Sequence, residues 1–508
     1  MKRLMYFLML ATGFLAAAGC NRNAQNTKQN APGDSTADVF SIEGNQTIRF
    51  AVDTTSLIRN PAMGWTLYDD ANDSVAKAAT YWAAQDDAAN KYASIFYIRW
   101  RWSNMEPEEG KYAWLYDDNF KALVKGARDR GLKLAFSIYI DGQDNIQPGT
   151  PDYVKKAGAQ GYLVDKLGGG KNWTPYLDDP VFQQKFGNFV RAFSEAFDDP
   201  AVVDYVDGYN LGWWGEGHHL VFKDTANKEA VFDWIINLYA SSFKRVLLSI
   251  TFGSEIGIPL EEKVALNANG YAIRRDGLAS SWFSQTERDY VKSKFPKIPF
   301  FAESCYWGCH AEDCRPWAAD AVYGKKWTGW KDVYTQVYTD AISSHANTLD
   351  LREEVETQGW TKIAPELVRN FVRFGGYRFT PTQLSIPSVI HSGETFQIGH
   401  NWVNTGVGVC PNNNRRWNYK YKVAFALIDK SNKVVAIVKD QKSDPSAWIR
   451  GTDGKYILEA KISAPAGNYR LALAVVDVSA GDQPGIRLAI DKERKIDNWT
   501  VVSDVVVK

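Results

Sequence analysis

The sequence predicts an α/β fold: a (β/α)8 TIM barrel followed by a smaller all-β sandwich. Two observations carry this. From about residue 46 to residue 376, apolar strand-like runs alternate with stretches of helical spacing about eight times, a pattern that builds a parallel sheet covered by helices. From Tyr377 onward the texture changes to short alternating runs separated by Gly, Asn, Asp and Pro, the signature of antiparallel strands joined by turns. The first part, roughly 320 residues, suits a closed barrel with insertions, for which about 250 is typical. A doubly wound open sheet would carry a Gly-rich phosphate turn after its first strand, and none is present.

Taken in order, residues 1–19 read as an export signal. Lys2 and Arg3 form a basic start, and Leu4 to Leu15 an apolar stretch too short to span a bilayer. Ala17-Ala18-Gly19-Cys20 resembles the bacterial lipoprotein signal, which implies cleavage before Cys20 and lipidation of its thiol. The alternative is an ordinary secretory signal cut near Ala18. Residues 20–45, rich in Asn, Gln, Thr and Ser, suit a flexible tether. Strands are then expected at Gly64–Tyr68, Ala93–Trp100, Leu132–Ile140, Val202–Leu211, Arg245–Phe252, Gly270–Ile273, Ile298–Ala302 and Thr348–Leu351. Helices are expected at Asp117–Arg130, Asp179–Phe197, Lys228–Phe243, Ser284–Lys294, Val333–Ser343 and Pro365–Phe374. The assigned regions are thus a barrel over 46–376 and a sandwich over 377–508.

Composition narrows the function. Loss of residues 1–19 removes Lys2 and Arg3 and no acidic residue, leaving 57 basic against 59 acidic side chains. No basic excess points to nucleic acid, and no polybasic patch to a membrane surface beyond the lipid. The 19 Trp and 25 Tyr suit a protein that stacks sugars as well as one with a large core. Cys305, Cys309 and Cys314 crowd together while Cys410 lies apart. In an exported chain this favours a disulfide, Cys309–Cys314 or Cys305–Cys314, over a zinc site using His310, whose spacing matches no common zinc pattern. No metal or other cofactor is implied, and a monomer is expected.

The chemistry concentrates in Gly212-Trp213-Trp214-Gly215-Glu216-Gly217-His218-His219. A carboxylate between indoles at a strand end is suited to acid catalysis on a sugar, because apolar walls favour the protonated acid and flat rings accept pyranose faces. Barrel chemistry sits at the carboxyl ends of strands, and by that rule the fourth strand leads to Glu216 and the seventh to Glu303. Asp207 and Glu255 are reserve carboxylates, and Glu106 reads as a loop-fixing residue. His218 and His219 are poor joint metal ligands, since neighbours on an extended segment point to opposite faces.

Two glutamates at the ends of strands four and seven resemble the clan of retaining barrel glycosidases that includes cellulases and β-galactosidases. The resemblance implies Glu216 as acid/base and Glu303 as nucleophile. The stretch Arg99-Trp100-Arg101-Trp102-Ser103-Asn104-Met105-Glu106-Pro107 is similar to one following an early strand in that clan, and places Arg99 or Arg101 beside the nucleophile. Asp141, His218 and Trp213, Trp214, Trp307 and Trp360 are then expected around the sugar, Trp360 as an aromatic floor. The clan carries Asn immediately before the acid/base, where Gly215 stands here, so Asn210 or His218 is expected to bind the sugar 2-hydroxyl instead. Asn60-Pro61-Ala62-Met63-Gly64-Trp65 resembles a group of bacterial lipoproteins joining a glycosidase-like barrel to a C-terminal β-sandwich. Asn401-Trp402-Val403-Asn404-Thr405-Gly406 resembles a turn of immunoglobulin-like modules, read here as packing against the barrel. The expectation is a lipid-anchored outer-membrane glycosidase, facing the periplasm or the exterior. Its competitor is a lipid-anchored glycan-binding protein with an inactive barrel.

Overall fold

The computed structural model describes residues 41–70, 74–144, 147–167, 169–304, 319–320 and 325–508. The export signal, Cys20, most of the tether, Trp307, His310 and the Cys305, Cys309 and Cys314 group lie outside the described residues. No helix among the described residues is long and apolar enough to cross a membrane.

Eight parallel strands close into a barrel: Gly64–Asp69, Ala93–Arg101, Lys133–Tyr139, Val203–Asp207, Leu247–Thr251, Ala272–Leu278, Phe300–Ser304 and Ala346–Arg352. They are the eight expected, in the expected order. Closure runs through pairing of the eighth strand with the first, Thr348 opposite Gly64. Side chains alternate across each strand. Trp65, Leu67, Phe96, Ile98 and Trp100 pack outward against the helices, while Ile95, Tyr97, Ala135, Tyr205, Leu247, Ala272 and Phe301 fill the interior. Helix Pro180–Phe197 shows how local sequence sets an element. Asp179 caps its first N–H groups, Pro180 starts it, and Phe182, Phe186, Phe189, Val190 and Phe193 form one buried stripe.

Two α-helices of ten or more residues were not expected, Ala78–Lys91 and Glu354–Ile363, and shorter unexpected helical segments include Trp102–Met105, Asp152–Lys156 and Glu261–Ala268. The first is Ala-rich with little amphipathic pattern, and its buried face is three alanines with Tyr81, Trp82 and Gln85. The second corrects the reading of Trp360, which lies on that helix, is 1% exposed, and packs against Trp65 at 5.2 Å and Tyr334 at 4.2 Å. It is part of the helix–barrel core and not a sugar floor.

The C-terminal region is a pair of largely antiparallel sheets over a common core. Strand Asn45–Arg49, which the sequence reading left at the edge of the barrel, pairs antiparallel with Phe379–Pro387 and so belongs to this region. Trp402 is fully buried, stacks on Trp448 at 4.5 Å, and donates its indole N–H to His400 Nδ1 at 2.8 Å. Asn404 caps the neighbouring turn through the N–H groups of Arg378 and Gly406. Cys410 is a buried free thiol in the same core, and burial pushes its pKa up. The sandwich meets the end of the barrel where the strands begin: Asn347, near the start of the eighth strand, donates to the carbonyls of Ala62 and Val409.

Candidate active site

At the opposite end of the barrel, where the strands finish, the interior turns from aromatic to charged. Glu303 stands one residue before the end of the seventh strand, pointing to the same side as Phe301. Its side chain is 1% exposed. Oε1 accepts from Arg352 Nη1 at 2.5 Å, and Oε2 accepts from Tyr68 at 3.1 Å and from Arg274. Arg99 Nη1 lies 3.8 Å from Oε1. Burial raises the pKa of Tyr68, so its hydroxyl keeps the proton it donates.

Glu216 reaches the same cations from the loop after the fourth strand. Arg99 Nη2 donates to its Oε1 at 2.7 Å, and Arg274 Nη1 lies 3.5 Å from that oxygen. The two glutamates are therefore bridged by shared guanidinium groups. Burial opposes the charge on Arg99, yet with Glu216 beside it and Tyr97 adding to the effect the Arg99 pKa is raised overall. The other oxygen of Glu216, Oε2, faces His218 Nε2 at 3.9 Å.

The loop holding Glu216 is built on unusual backbone. Asn210, Gly212, Trp214, Gly215, Gly217 and His219 all have φ between +54° and +76°, a region that non-glycine residues occupy rarely and that concentrates at functional sites. The loop closes through Trp213 N to His218 O at 2.8 Å and is tied to the third strand's end by Trp214 N to Asp141 O at 2.7 Å. Gly215, with φ +76°, leaves room for a Cβ only 3.0 Å from Asn210 Oδ1 and 3.2 Å from Tyr139 Cβ. That tight fit is the physical reason for glycine where the resembling clan carries asparagine.

The expected desolvated acid between indoles is corrected by these contacts. The groups bonded to Glu216 are cationic, and the indoles are engaged elsewhere. Trp213 stacks on His219 at 4.5 Å, and Trp214 donates its indole N–H to Asp144 at 2.7 Å. Asn210 is fully buried and spent on Ser137, the Asp207 carbonyl and Tyr239, so it does not stand in for the missing asparagine. Asp141 is buried and held by Lys166 at 2.6 Å; burial raises its pKa in spite of that lysine. Arg101 bonds Asn104 at 3.0 Å, and Arg99 is the arginine of that stretch found on both glutamates. Glu255 clamps the backbone N–H groups of His219 and Leu220, and Glu106 fixes its loop through Trp102, Tyr153 and Gly110. Asp207 lies deeper in the barrel, bonded to Tyr97 and Ser249, with Arg274 Nε at 3.6 Å.

Three residues central to this network escaped the sequence reading: Arg274, Arg352 and Asp276. Arg274 is 2% exposed, lies 5.4 Å over the Tyr97 ring, and joins Glu216, Glu303 and Asp207. Asp276 lies two residues further along the same strand, and although burial disfavours its charge, Arg275, Arg274, His218 and Arg99 hold its pKa low. The strand-end rule applied to the eighth strand would have found Arg352. Among the described residues no cluster of ligating side chains is placed to hold a metal ion.

The sequence matches no protein-family profile and no curated protein. Among solved structures it is similar to exo-beta-1,4-mannosidase Op5Man5 from Opitutaceae bacterium strain TAV5, at 14% identity over 63% of this chain and 58% of that one, with a TM-score of 0.39. It is also similar to endo-glycoceramidase II from Rhodococcus sp., at 12% identity over 82% and 100% of the two chains, TM-score 0.39. A third is PbGH5A, a glycoside hydrolase family 5 enzyme from Prevotella bryantii B14, at 12% identity over 64% and 99%, TM-score 0.36.

Proposed function

We propose that the protein is a glycoside hydrolase acting by retaining double displacement, with Glu303 as nucleophile and Glu216 as acid/base. One observation carries this reading: carboxylates from the fourth and seventh strand ends converge on the same two guanidinium groups, Arg99 and Arg274, in the mouth of a closed barrel. A nucleophilic carboxylate must be ionised and fixed in orientation, and three donors on Glu303 supply both conditions. Glu303 attacks the anomeric carbon as the glycosidic bond breaks, and the leaving oxygen takes a proton from Glu216. Water then displaces Glu303 from that carbon, giving its proton to Glu216. Retention needs carboxyl groups about 5–5.5 Å apart. The buried Trp213 indole N–H, which has no acceptor among the described residues, offers a donor for a sugar hydroxyl. The substrate is a poly- or oligosaccharide, and lipidation at Cys20 with an outer-membrane location is part of the proposal.

A second reading, a glycan-binding barrel without turnover, is favoured by one specific feature. Arg99 at 2.7 Å from Glu216 ties this side chain into an ion-pair network, and such networks are also built for structure or binding alone. One experiment separates them. The mature protein is screened against aryl glycosides and polysaccharides for released reducing ends, alongside Glu216→Gln and Glu303→Gln. Loss of turnover in both variants with glycan retention intact supports the glycosidase. Full activity in both variants ends the assignment, and retention of a glycan without any hydrolysis selects the binding reading. Full-length Cys20→Ala is expected to leave the membrane fraction.

A further inference from the structure

A second concave surface lies away from Glu216 and Glu303, toward the end of the barrel where the strands begin. It is a cavity of about 790 Å³ between helices Pro180–Phe197 and Lys228–Ser242 and the sandwich loop that joins strand Thr395–Asn404 to strand Tyr421–Ile428. Lys244, just before the fifth barrel strand, and Asn269, just before the sixth, complete its wall. Four cations line it, Arg191, Lys244, Arg415 and Arg416, against one carboxylate, Asp233. None of the four is in an ion pair among the described residues. In a chain with 59 basic and 59 acidic residues, this local excess of positive charge favours an anionic ligand.

The donors are held ready for one. Arg416 is half-buried, and it donates from Nη1 to the carbonyl of Asn269 at 2.8 Å and from Nε to that of Phe243 at 3.3 Å. Arg415 donates from Nη1 to the carbonyl of Ala268. These bonds tie both guanidinium groups to the barrel and occupy carbonyls that would repel an anion. Nη2 of each arginine has no acceptor among the described residues. Burial pushes the Arg416 pKa down and the charge of Arg415 adds to this, against Tyr271 and Asp198; a bound anion acts in the opposite direction. Trp234 adds a different chemistry. It is half-buried, packs edge-on against Phe182 at 6.1 Å, and its indole N–H has no acceptor among the described residues. An aromatic ring beside forked cations suits a sugar that carries negative charge. None of the large exposed apolar side chains lines the cavity, so it lacks the apolar contact that a membrane surface takes.

We propose that this cavity is a second glycan site, separate from the barrel mouth, for a saccharide bearing carboxylate or sulfate groups. Arg415, Arg416 and Lys244 pair with the anion, and Trp234 takes the face of the ring. The site does not depend on the glycosidase reading, because no residue lining it bonds Glu216 or Glu303. A polymer held there stays with the protein whether or not it is cleaved at the mouth.

Affinity electrophoresis of the mature protein in gels carrying polygalacturonate, dextran sulfate or neutral dextran tests this. At least one acidic polymer is expected to retard the protein while dextran does not, and which of the two acts tells carboxylate from sulfate. Arg415→Ala and Lys244→Ala change exposed side chains, so both variants should fold, and each should raise the apparent Kd about tenfold. Trp234→Ala should raise it as well. Turnover of any aryl glycoside that the wild type cleaves should be unchanged in the two cation variants. The proposal is overturned if neither acidic polymer retards the protein, if dextran retards it equally, or if the cation variants bind like wild type. Wild-type binding by Trp234→Ala would reduce the surface to a plain anion site without ring recognition. Binding to phosphatidylglycerol vesicles that the cation variants lose, with no retardation by either polymer, would make it a membrane contact and end the glycan reading.

Discussion

Replacing Arg274 with Met removes the cation that joins three carboxylates. Its guanidinium contacts Glu303, lies 3.5 Å from Glu216 and 3.6 Å from Asp207, and donates to Thr251 at 2.9 Å. Methionine fills much of the same volume, so the loss is mainly electrostatic. Glu216 keeps Arg99 at 2.7 Å and Glu303 keeps Arg352 at 2.5 Å. Asp207 is left with the hydroxyls of Tyr97 and Ser249, which carry no charge. Removing one partner of a buried ion pair costs about 3–5 kcal/mol, and Asp207 bears most of it. The compact unit spans Ser41–Lys508, so at about 2 cal/mol/K per residue the melting point moves by about 1 °C per kcal/mol, a fall of about 3–5 °C. Adding Asp207→Asn removes the stranded charge and should recover about 1–3 kcal/mol relative to additivity. Scanning calorimetry on wild type, both single variants and the double variant measures this directly. If Arg274→Met melts within about 1 °C of wild type, or the double variant is simply additive, Arg274 does not compensate Asp207 and the account of the barrel mouth is wrong.

Other outcomes follow from single contacts. Gly217→Ala places a Cβ 2.5 Å from Ser254 Cβ and 2.6 Å from Tyr209 at φ +72°; the clash should cost about 1–3 kcal/mol, and any hydrolytic activity should fall further than thermal stability accounts for, because Glu216 is the adjacent residue. Trp402→Ala empties a fully buried indole site and should cost about 3–5 kcal/mol by denaturant titration, with glycan retention in affinity electrophoresis unchanged. Burial acts to raise the pKa of Asp53, but hydrogen bonds from Ser56 and Thr55 outweigh it and bring it to about 2. Its contribution is complete above the ordinary value of 3.8 and lost as pH falls through about 2. Asp53→Asn should accordingly melt below wild type near neutrality, and the two melting curves should converge in strong acid.

The barrel was legible because its signal is local: eight apolar runs, each followed by a helix or a turn. The meeting of Glu216 and Glu303 at one end of the barrel was legible for a related reason, since residues that follow parallel barrel strands gather at that end. Their partners were not. The sixth strand was expected to stop at Ile273 because Arg274 and Arg275 look like the end of a buried strand, whereas the barrel interior becomes polar toward this end and accommodates them. Strand eight was ended at Leu351, one residue before Arg352, for the same reason. Trp213 and Trp214 adjoin Glu216 in sequence, yet the arginines that bond it come from the second and sixth strands. Neighbourhood along the chain was a poor guide to neighbourhood in the site. Strand Asn45–Arg49 was missed because five residues with one strongly apolar side chain show little alternation, and its partner lies more than three hundred residues away.

The meeting of barrel and sandwich has a consequence for how the chain can be cut. Interior residues of the barrel such as Ile95, Tyr205 and Phe301 belong to the same apolar cluster as Phe379, Trp402 and Leu471 of the sandwich. Asn347 is bonded to both sides of the boundary, and a Cβ on Gly406 would meet the Gly376 carbonyl at 2.2 Å. Two regions that look modular along the sequence therefore share a floor. A barrel expressed alone would present that floor to water as an adhesive apolar face, and transplanting the end that carries Glu216 and Glu303 onto another carrier would require a replacement seal of matching shape.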